Sequence, residues 1–349
     1  MSPAPAPPDP PDRWITLSEY LREHYLPRKT PGWSEGTRAY RAWAVDSVLI
    51  PDLGHRPIAD LSLAELERWI GWRALTPFAT SGRLPQRATL QALLNTLGAA
   101  LRLAMLDGLI VDNIVKGIRL PREIRDPVVV WSPVQVQQFL LQTAHTRYSV
   151  LWRVLFATGL RRGEALGLTW ADLHLPRSTL SVRRSLQAHS RAGAYHFGPP
   201  KTPRSRRTIS IDRGTLDQLL SWQEKQAREF ISLNRVVTST DSIFTTTAGL
   251  PMLPSVVSDA WRSAVARTGL PRMRLHDIRH THLSHLLLAG EPITHVAARA
   301  GHGTPYQTLT TYAHLIPGDD ERTAARAETM FTSDVQDDGD TATVIDWPA

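Results

Sequence analysis

Seven of the thirteen histidines in this chain of 349 residues fall between His276 and His314. Within them the string HDIRHTHLSH sets His276 and Arg279 three residues apart, on one face of any helix that carries them. An imidazole and a guanidinium placed so can converge on one anion, although a solvated or core-capping histidine cluster would show the same string. A metal site is a weaker reading: His276 and His280 have the spacing of a zinc-protease helix, but Asp277 stands where that motif needs glutamate. Upstream, TGLRRGEALGLTW puts Arg161 behind a glycine turn at a predicted helix start, with Glu164 one turn later. A helix N-terminus beside a planar guanidinium is suited to phosphate. PPKTPRSRRTISI then sets Lys201 at a hairpin tip amid Arg204, Arg206 and Arg207, a pattern that fits backbone contact to nucleic acid or a solvated turn. Lysine occurs only at 29, 116, 201 and 225 among forty basic residues. Arginine cannot release a proton near neutral pH, whereas a lysine among cations can, so Lys201 is a candidate general acid. Finally, GHGTPYQTLTTYAHL supplies His302 and Tyr312. A tyrosine nucleophile, with a pKa near 10, needs cations around the group it attacks and a base to take its proton.

The elements that must position these residues are mostly helical. Apolar residues at spacings of three and four run from Trp14 through Val48, and Ser62 with Glu65 reads as a capping box before Leu66, Trp69 and Ile70. Residues 86–107 are the longest periodic segment, closed by Gly108. Residues 13–118 therefore read as a bundle of four or five helices, after a disordered proline-rich lead over 1–12. Residues 119–131 read as an extended linker. Ser132-Pro133 opens a second domain over 132–318. Its helices are expected at about 133–144, 148–157, 161–167, 214–231, 255–267, 275–288 and 292–300. Alternation around Leu180 and Ile209 predicts two strands bracketing a loop over 184–205. The fold class is mainly α with a small antiparallel β-sheet. Residues 319–331 have an acidic start and a candidate amphipathic helix, and an acidic tail follows to 349.

Charge and composition narrow the partners. The net charge of +7 is unevenly spread: 14 basic and 12 acidic residues over 1–120, 26 and 16 over 121–330, none and 5 over 331–349. The second domain is thus the one drawn to a polyanion. The absence of cysteine excludes a disulfide scaffold, a thiol nucleophile and thiolate-held metals, and a reducing cytoplasm is the simplest home. No apolar run approaches the roughly 18 residues a membrane helix requires, so no membrane partner is expected.

The order Arg161, Lys201, His276-x-x-Arg279, His302, Tyr312, within TGLRRGEAL, PKTPRSRRTI, LHDIRHTHLSHLLLAG and AGHGTPYQTLTTYAH, resembles the catalytic domain of tyrosine recombinases of the phage-integrase type. Residues 13–118 resemble their helical core-binding domain. The resemblance implies a site-specific DNA recombinase that acts through a 3′-phosphotyrosyl intermediate, with Tyr312 rather than Tyr306 as nucleophile. It implies Arg161 and Arg279 on the non-bridging oxygens, Lys201 as acid to the 5′-oxygen, His276 as acceptor of the tyrosine proton, His302 as a hydrogen-bond donor and Glu164 as a support for Arg161 or a neighbouring histidine. It further implies double-stranded DNA as partner, a homo-tetramer on synapsed sites, a segment after the nucleophile that packs on the neighbouring protomer, and no cofactor, metal or ATP. With only residues 1–12 ahead of the first helical pattern, no separate arm-site domain is expected. Arg83, Arg87 and Arg102 are candidate DNA contacts in the first domain, and Arg204, Arg206 and Arg207 in the second. Two other readings remain at this level: a catalytically inactive architectural DNA-binding protein of the same fold, and a metal-dependent nuclease built on the histidines.

Overall fold

In the computed structural model, which describes residues 14–79, 81–120, 128–188, 195–200 and 203–313 together with 324, 327 and 328, the chain divides into two units, Met1–Pro127 and Val128–Ala349. The expected proline-rich lead, most of the linker and the segment after residue 319 lie almost entirely outside the described residues.

Proline shapes the first two helices of unit 1. Helix α1 (17–29) starts on a reciprocal capping box between Thr16 and Glu19. Pro27 has no N–H to donate and its ring crowds the preceding turn. Just upstream the helix widens to π pitch over Tyr20–Tyr25, and the Leu26 N–H reaches back to the Leu21 carbonyl. Helix α2 (35–53) repeats the device over Val45–Leu49, with Ile50 bonded to Val45 and Pro51 next in sequence. Ser62 caps α3 (Leu63–Leu75) through the Glu65 N–H at 3.3 Å. The predicted reciprocal bond is not made, because the Glu65 carboxylate pairs with Arg56 at 2.9 Å. Helix α4 (Arg87–Leu106) buries Leu90, Leu93, Leu94, Leu97 and Leu101 against Tyr20, Tyr25, Val48, Leu66 and Ile70. Each buried leucine contributes about 1.5–3 kcal/mol, so α4 is the axis of this unit. By length and a mean hydropathy of 1.2, α4 could also cross a membrane, which a count of uninterrupted apolar residues does not register; here its leucine face is core.

Unit 2 opens at Ser132, whose side chain and that of Gln135 form a reciprocal capping box around Pro133 at the start of α5 (Pro133–Gln142). Helices α6 (Ser149–Thr158) and α7 (Arg162–Leu166) follow, then three antiparallel strands in the order β1 (Leu173–His174), β2 (Thr179–Val182), β5 (Arg207–Ser210). Leu180 pairs with Ile209, and both are core residues. The segment over 184–205 is not a plain loop: β3 (Ser185–Ala188) and β4 (Tyr195–Gly198) form a second hairpin. Its arginine- and glycine-rich composition hid the strand pattern, in which Leu186 pairs with Phe197 and Ala188 with Tyr195. Helix α7 lies close on this hairpin, since a Cβ at Gly163 would stand 2.5 Å from Ser185 Oγ. Helices α8 (Arg213–Ser232), α9 (Pro254–Thr268), α10 (Asp277–Leu288), α11 (Ile293–Ala300) and α12 (Pro305–Tyr312) complete the unit. Trp131, Phe139, Trp152, Phe156 and Trp261 form its aromatic centre, and Trp131 donates to the Pro271 carbonyl. A smaller cluster of Leu283, Leu287, Val296 and Ala300 receives the ring of Tyr312.

Candidate active site

Arg161 is the residue just ahead of α7, and the buried Glu164 carboxylate on the next turn is the hub that fixes it. Glu164 is only 2 % exposed. One oxygen accepts from Arg161 Nη1 at 2.7 Å, and the other accepts from the Arg161 backbone N–H at 3.1 Å and from Arg207 Nη2 at 2.9 Å. Burial alone would push this carboxyl up, but Arg207 and Arg161 together outweigh it and hold it below the usual carboxylate range. Helix α7 has only five residues, and the Arg161 backbone N–H at its start is already taken by Glu164. What Arg161 brings is its guanidinium.

Arg207 is placed differently from a surface DNA contact. Its side chain is 8 % exposed, and it also donates to the carbonyls of Arg299 and Ser205. It is an internal strut of the site, because strand β5 carries it beneath α7. Arg204 donates to the Gly303 carbonyl and, like Arg206, is exposed. Lys201 lies outside the described residues.

Arg279, buried on α10, donates to the carbonyl of Gly159 at 2.8 Å and to that of Ala300 at 2.6 Å. Both carbonyls stand at helix ends, where no intrahelical donor reaches them. Gly159 holds φ +64° as it ends α6, and a Cβ there would meet the His282 ring at 2.6 Å, so glycine is required for that carbonyl to face Arg279. Burial lowers the Arg279 guanidinium to about 10, with Arg161 adding repulsion, and it stays charged at neutral pH.

Arg161, His276, Arg279, His280, His302, Gln307, Thr310, Thr311 and Tyr312 line one cleft of about 340 Å³. The start of α7, helix α10 with the residue ahead of it, the turn after α11, and the end of α12 thus bring together five of the six predicted catalytic residues. Tyr312 is 3 % exposed, whereas Tyr306, one and a half turns earlier on α12, is 69 % exposed and lies outside the cleft lining. Burial pushes the Tyr312 phenol upward, and Arg279 partly opposes this. Its hydroxyl lies 2.6 Å from Nδ1 of His280, a residue the sequence had offered only as half of a weak metal motif. The His276 and His280 rings meet edge to face at 5.5 Å. His302 Nδ1 lies 2.7 Å from the buried Thr308 hydroxyl, and burial, with Arg279, Arg161 and Arg207, lowers its imidazole to about 4. A neutral His302 that accepts from Thr308 keeps its N–H on Nε2, which leaves a donor for an anion. His282 is structural. Its Nδ1 meets the Phe156 carbonyl and its Nε2 accepts from Arg299, so it ties α10 to α6 and α11. Among the described residues no group of three histidine, aspartate or glutamate side chains is arranged to hold a metal ion.

The phage integrase family model matches residues 132–318, more than half of the chain. This chain belongs to the phage integrase family. Its relatives include the ICEBs1 integrase of Bacillus subtilis, 29 % identical over 61 % of this chain and 57 % of the relative. The tyrosine recombinase XerC-like protein of Caldanaerobacter subterraneus is 27 % identical over 66 % of this chain and 63 % of its own length. The integrase of Mycobacterium phage L5 is 24 % identical over 84 % and 74 %. The chain therefore spans only about three fifths of the first two relatives. Among solved structures, a fragment of the Tn1549 transposon integrase in complex with a circular intermediate DNA is similar with a TM-score of 0.74, at 21 % identity, over 91 % of this chain and all of that one. A lambda integrase dimer bound to a core site has a TM-score of 0.59 at 16 % identity, over 83 % of this chain and 96 % of that one. The fold of this integrase-family chain is thus that of phage and transposon integrases.

Unit 1 holds a separate cleft of about 660 Å³. Arg102 lines it together with Lys29, Arg41, Lys116, Gln91, Asn95 and Trp33. Of the predicted contacts, Arg83 is exposed outside this cleft, and Arg87 is half-buried at the start of α4. Lys29 and Lys116, which the sequence reading did not single out, line the same cleft, and their rarity as lysines was a signal that could have drawn notice to them.

Proposed function

We propose that this chain is a site-specific DNA recombinase that cleaves and rejoins strands for integration or excision of a mobile element. The observation that carries this reading is the convergence of Tyr312, Arg161, Arg279, His276 and His302 on one cleft. Tyr312 attacks a scissile phosphate, leaving a 3′-phosphotyrosyl bond and a free 5′-hydroxyl. Arg161, steadied by Glu164, and Arg279, steadied by two carbonyls, face the non-bridging oxygens, where charge builds as phosphorus becomes pentacoordinate. Fixed guanidiniums stabilise that charge well because their partners already hold them in place before reaction. His302 donates from Nε2, and Lys201 protonates the 5′-oxygen. The phosphotyrosyl ester conserves the energy of the broken bond, so rejoining needs neither ATP nor a metal ion. Unit 1 is the core-binding domain, and Lys29, Arg102 and Lys116 contact backbone phosphates. The protein works in the bacterial cytoplasm as a homo-tetramer on two synapsed sites.

The test is a pool of nicked duplexes, randomised across the cleavage position, incubated with the protein in EDTA and selected for denaturant-resistant adducts. A recombinase gives a 3′-linked adduct that Tyr312→Phe abolishes. Retarded DNA without any adduct would point to the architectural reading, and activity that chelation removes would point to a nuclease.

A further inference from the structure

We propose that His280, rather than His276, is the group that takes the proton from Tyr312. The inference rests on the recombinase reading and deepens it. In the attacking step the phenol proton passes to His280 Nδ1, the phenolic oxygen bonds to phosphorus, and the bond from phosphorus to the 5′-oxygen breaks. The departing oxygen takes its proton from the acid assigned to Lys201. On rejoining, each transfer reverses.

Three observations carry this. His280 Nδ1 stands 2.6 Å from the Tyr312 hydroxyl, within the range a proton transfer needs. The tyrosine ring is held on the Leu283, Leu287, Val296 and Ala300 cluster, so this meeting is built into the packing of α12 on α10 and α11. His280 also lies between Tyr312 and His276, with its ring 5.6 Å from the tyrosine and 5.5 Å from His276. Arg279 acts on both histidines, but Arg161 acts on His276 and is not among the charges that act on His280, which sets His276 nearer the phosphate-binding groups.

The groups around His280 favour an unprotonated ring. On its own helix Arg279 opposes a positive charge there and Asp277 favours one; Arg274 precedes the helix, Tyr312 faces it from α12, and His302 approaches from the end of α11. Burial is the largest influence and lowers the imidazole below its ordinary value. A neutral ring protonated on Nε2 leaves Nδ1 as an acceptor for the phenol.

The experiment compares the wild type with His280→Asn and His276→Asn, using the duplex recovered by the selection above. Asparagine keeps an acceptor oxygen near the Nδ1 position but cannot hold a transferred proton. The expected result is that His280→Asn binds the duplex as the wild type does and forms adduct about 10²- to 10⁴-fold more slowly, the usual contribution of a general base. Its rate should then keep rising with pH where the wild type levels off, because hydroxide replaces the lost base. His276→Asn should be slower but keep the wild-type inflection. Undiminished adduct formation by His280→Asn, or an inflection that disappears with His276 instead, would overturn the proposal alone. No adduct from the wild type would overturn the recombinase reading and this proposal with it. A measurement on the unsubstituted protein needs neither variant folding nor DNA: ¹⁵N NMR of labelled histidine should show His280 protonated on Nε2 at neutral pH, with Nδ1 free of a proton. A ring protonated on Nδ1 would overturn it.

Discussion

Replacement of Glu164 by glutamine should unfold unit 2 at a markedly lower temperature, because it strands a cation that cannot reach water. In the native site one carboxylate serves two guanidiniums, at 2.7 and 2.9 Å. Arg161 is about one-third exposed and can be solvated when its partner goes, but Arg207 is 8 % exposed. Removing one partner of a buried ion pair costs about 3–5 kcal/mol, mostly through the charge left behind. In a unit of this size each kcal/mol lowers the melting temperature by about 2–4 °C, so the shift should be about 6–20 °C. The double variant Glu164→Gln with Arg207→Met removes the stranded charge and should be less destabilised than the two single effects added together. The pH dependence has a definite sign. The Glu164 pKa is depressed in the folded state, so its stabilisation is complete above the carboxylate's unfolded value, about 4.3, and is lost as pH falls through the lower folded value. The gap between wild type and variant should therefore narrow on acidification. Calorimetry between neutral pH and pH 3 checks both points. A shift smaller than about 2 °C at neutral pH would refute the role of Glu164 as an electrostatic hub.

Gly159→Ala should destabilise unit 2 by more than about 1 kcal/mol, because φ +64° strains alanine and its methyl would overlap His282; denaturant melts would show it. The same change should slow adduct formation, since the carbonyl that steadies Arg279 must move. Replacing Lys29, Arg102 and Lys116 together by glutamine should reduce the slope of log binding constant against log salt by close to 3, at about 0.9 for each phosphate no longer neutralised, as measured by fluorescence anisotropy. An unchanged slope would remove this cleft from the DNA interface. Lys201→Ala should slow cleavage of an ordinary substrate and be rescued by one with a more acidic 5′ leaving group; equal slowing on both would remove Lys201 as the acid.

Much of this molecule is legible from residue order, because local rules govern the features concerned. The Ser132-Pro133 start, the leucine stripe of α4, the left-handed glycine that ends α6 and the mixed architecture all follow from spacing, capping and backbone preference. The catalytic side chains were recognisable because chemistry restricts the residue types that can hold a phosphodiester, so their identities and order carry information before any folding is known. The tertiary structure decided who meets whom, since such pairings depend on contacts between segments distant in the chain. Arg207 and Arg204 belong to one basic string, yet β5 carries the first against the buried Glu164, while the second lies in the turn ahead of that strand and stays at the surface. His276 and His280 are equally good histidines by spacing, and only the packing of α12 against α10 places the Tyr312 hydroxyl on the second of them.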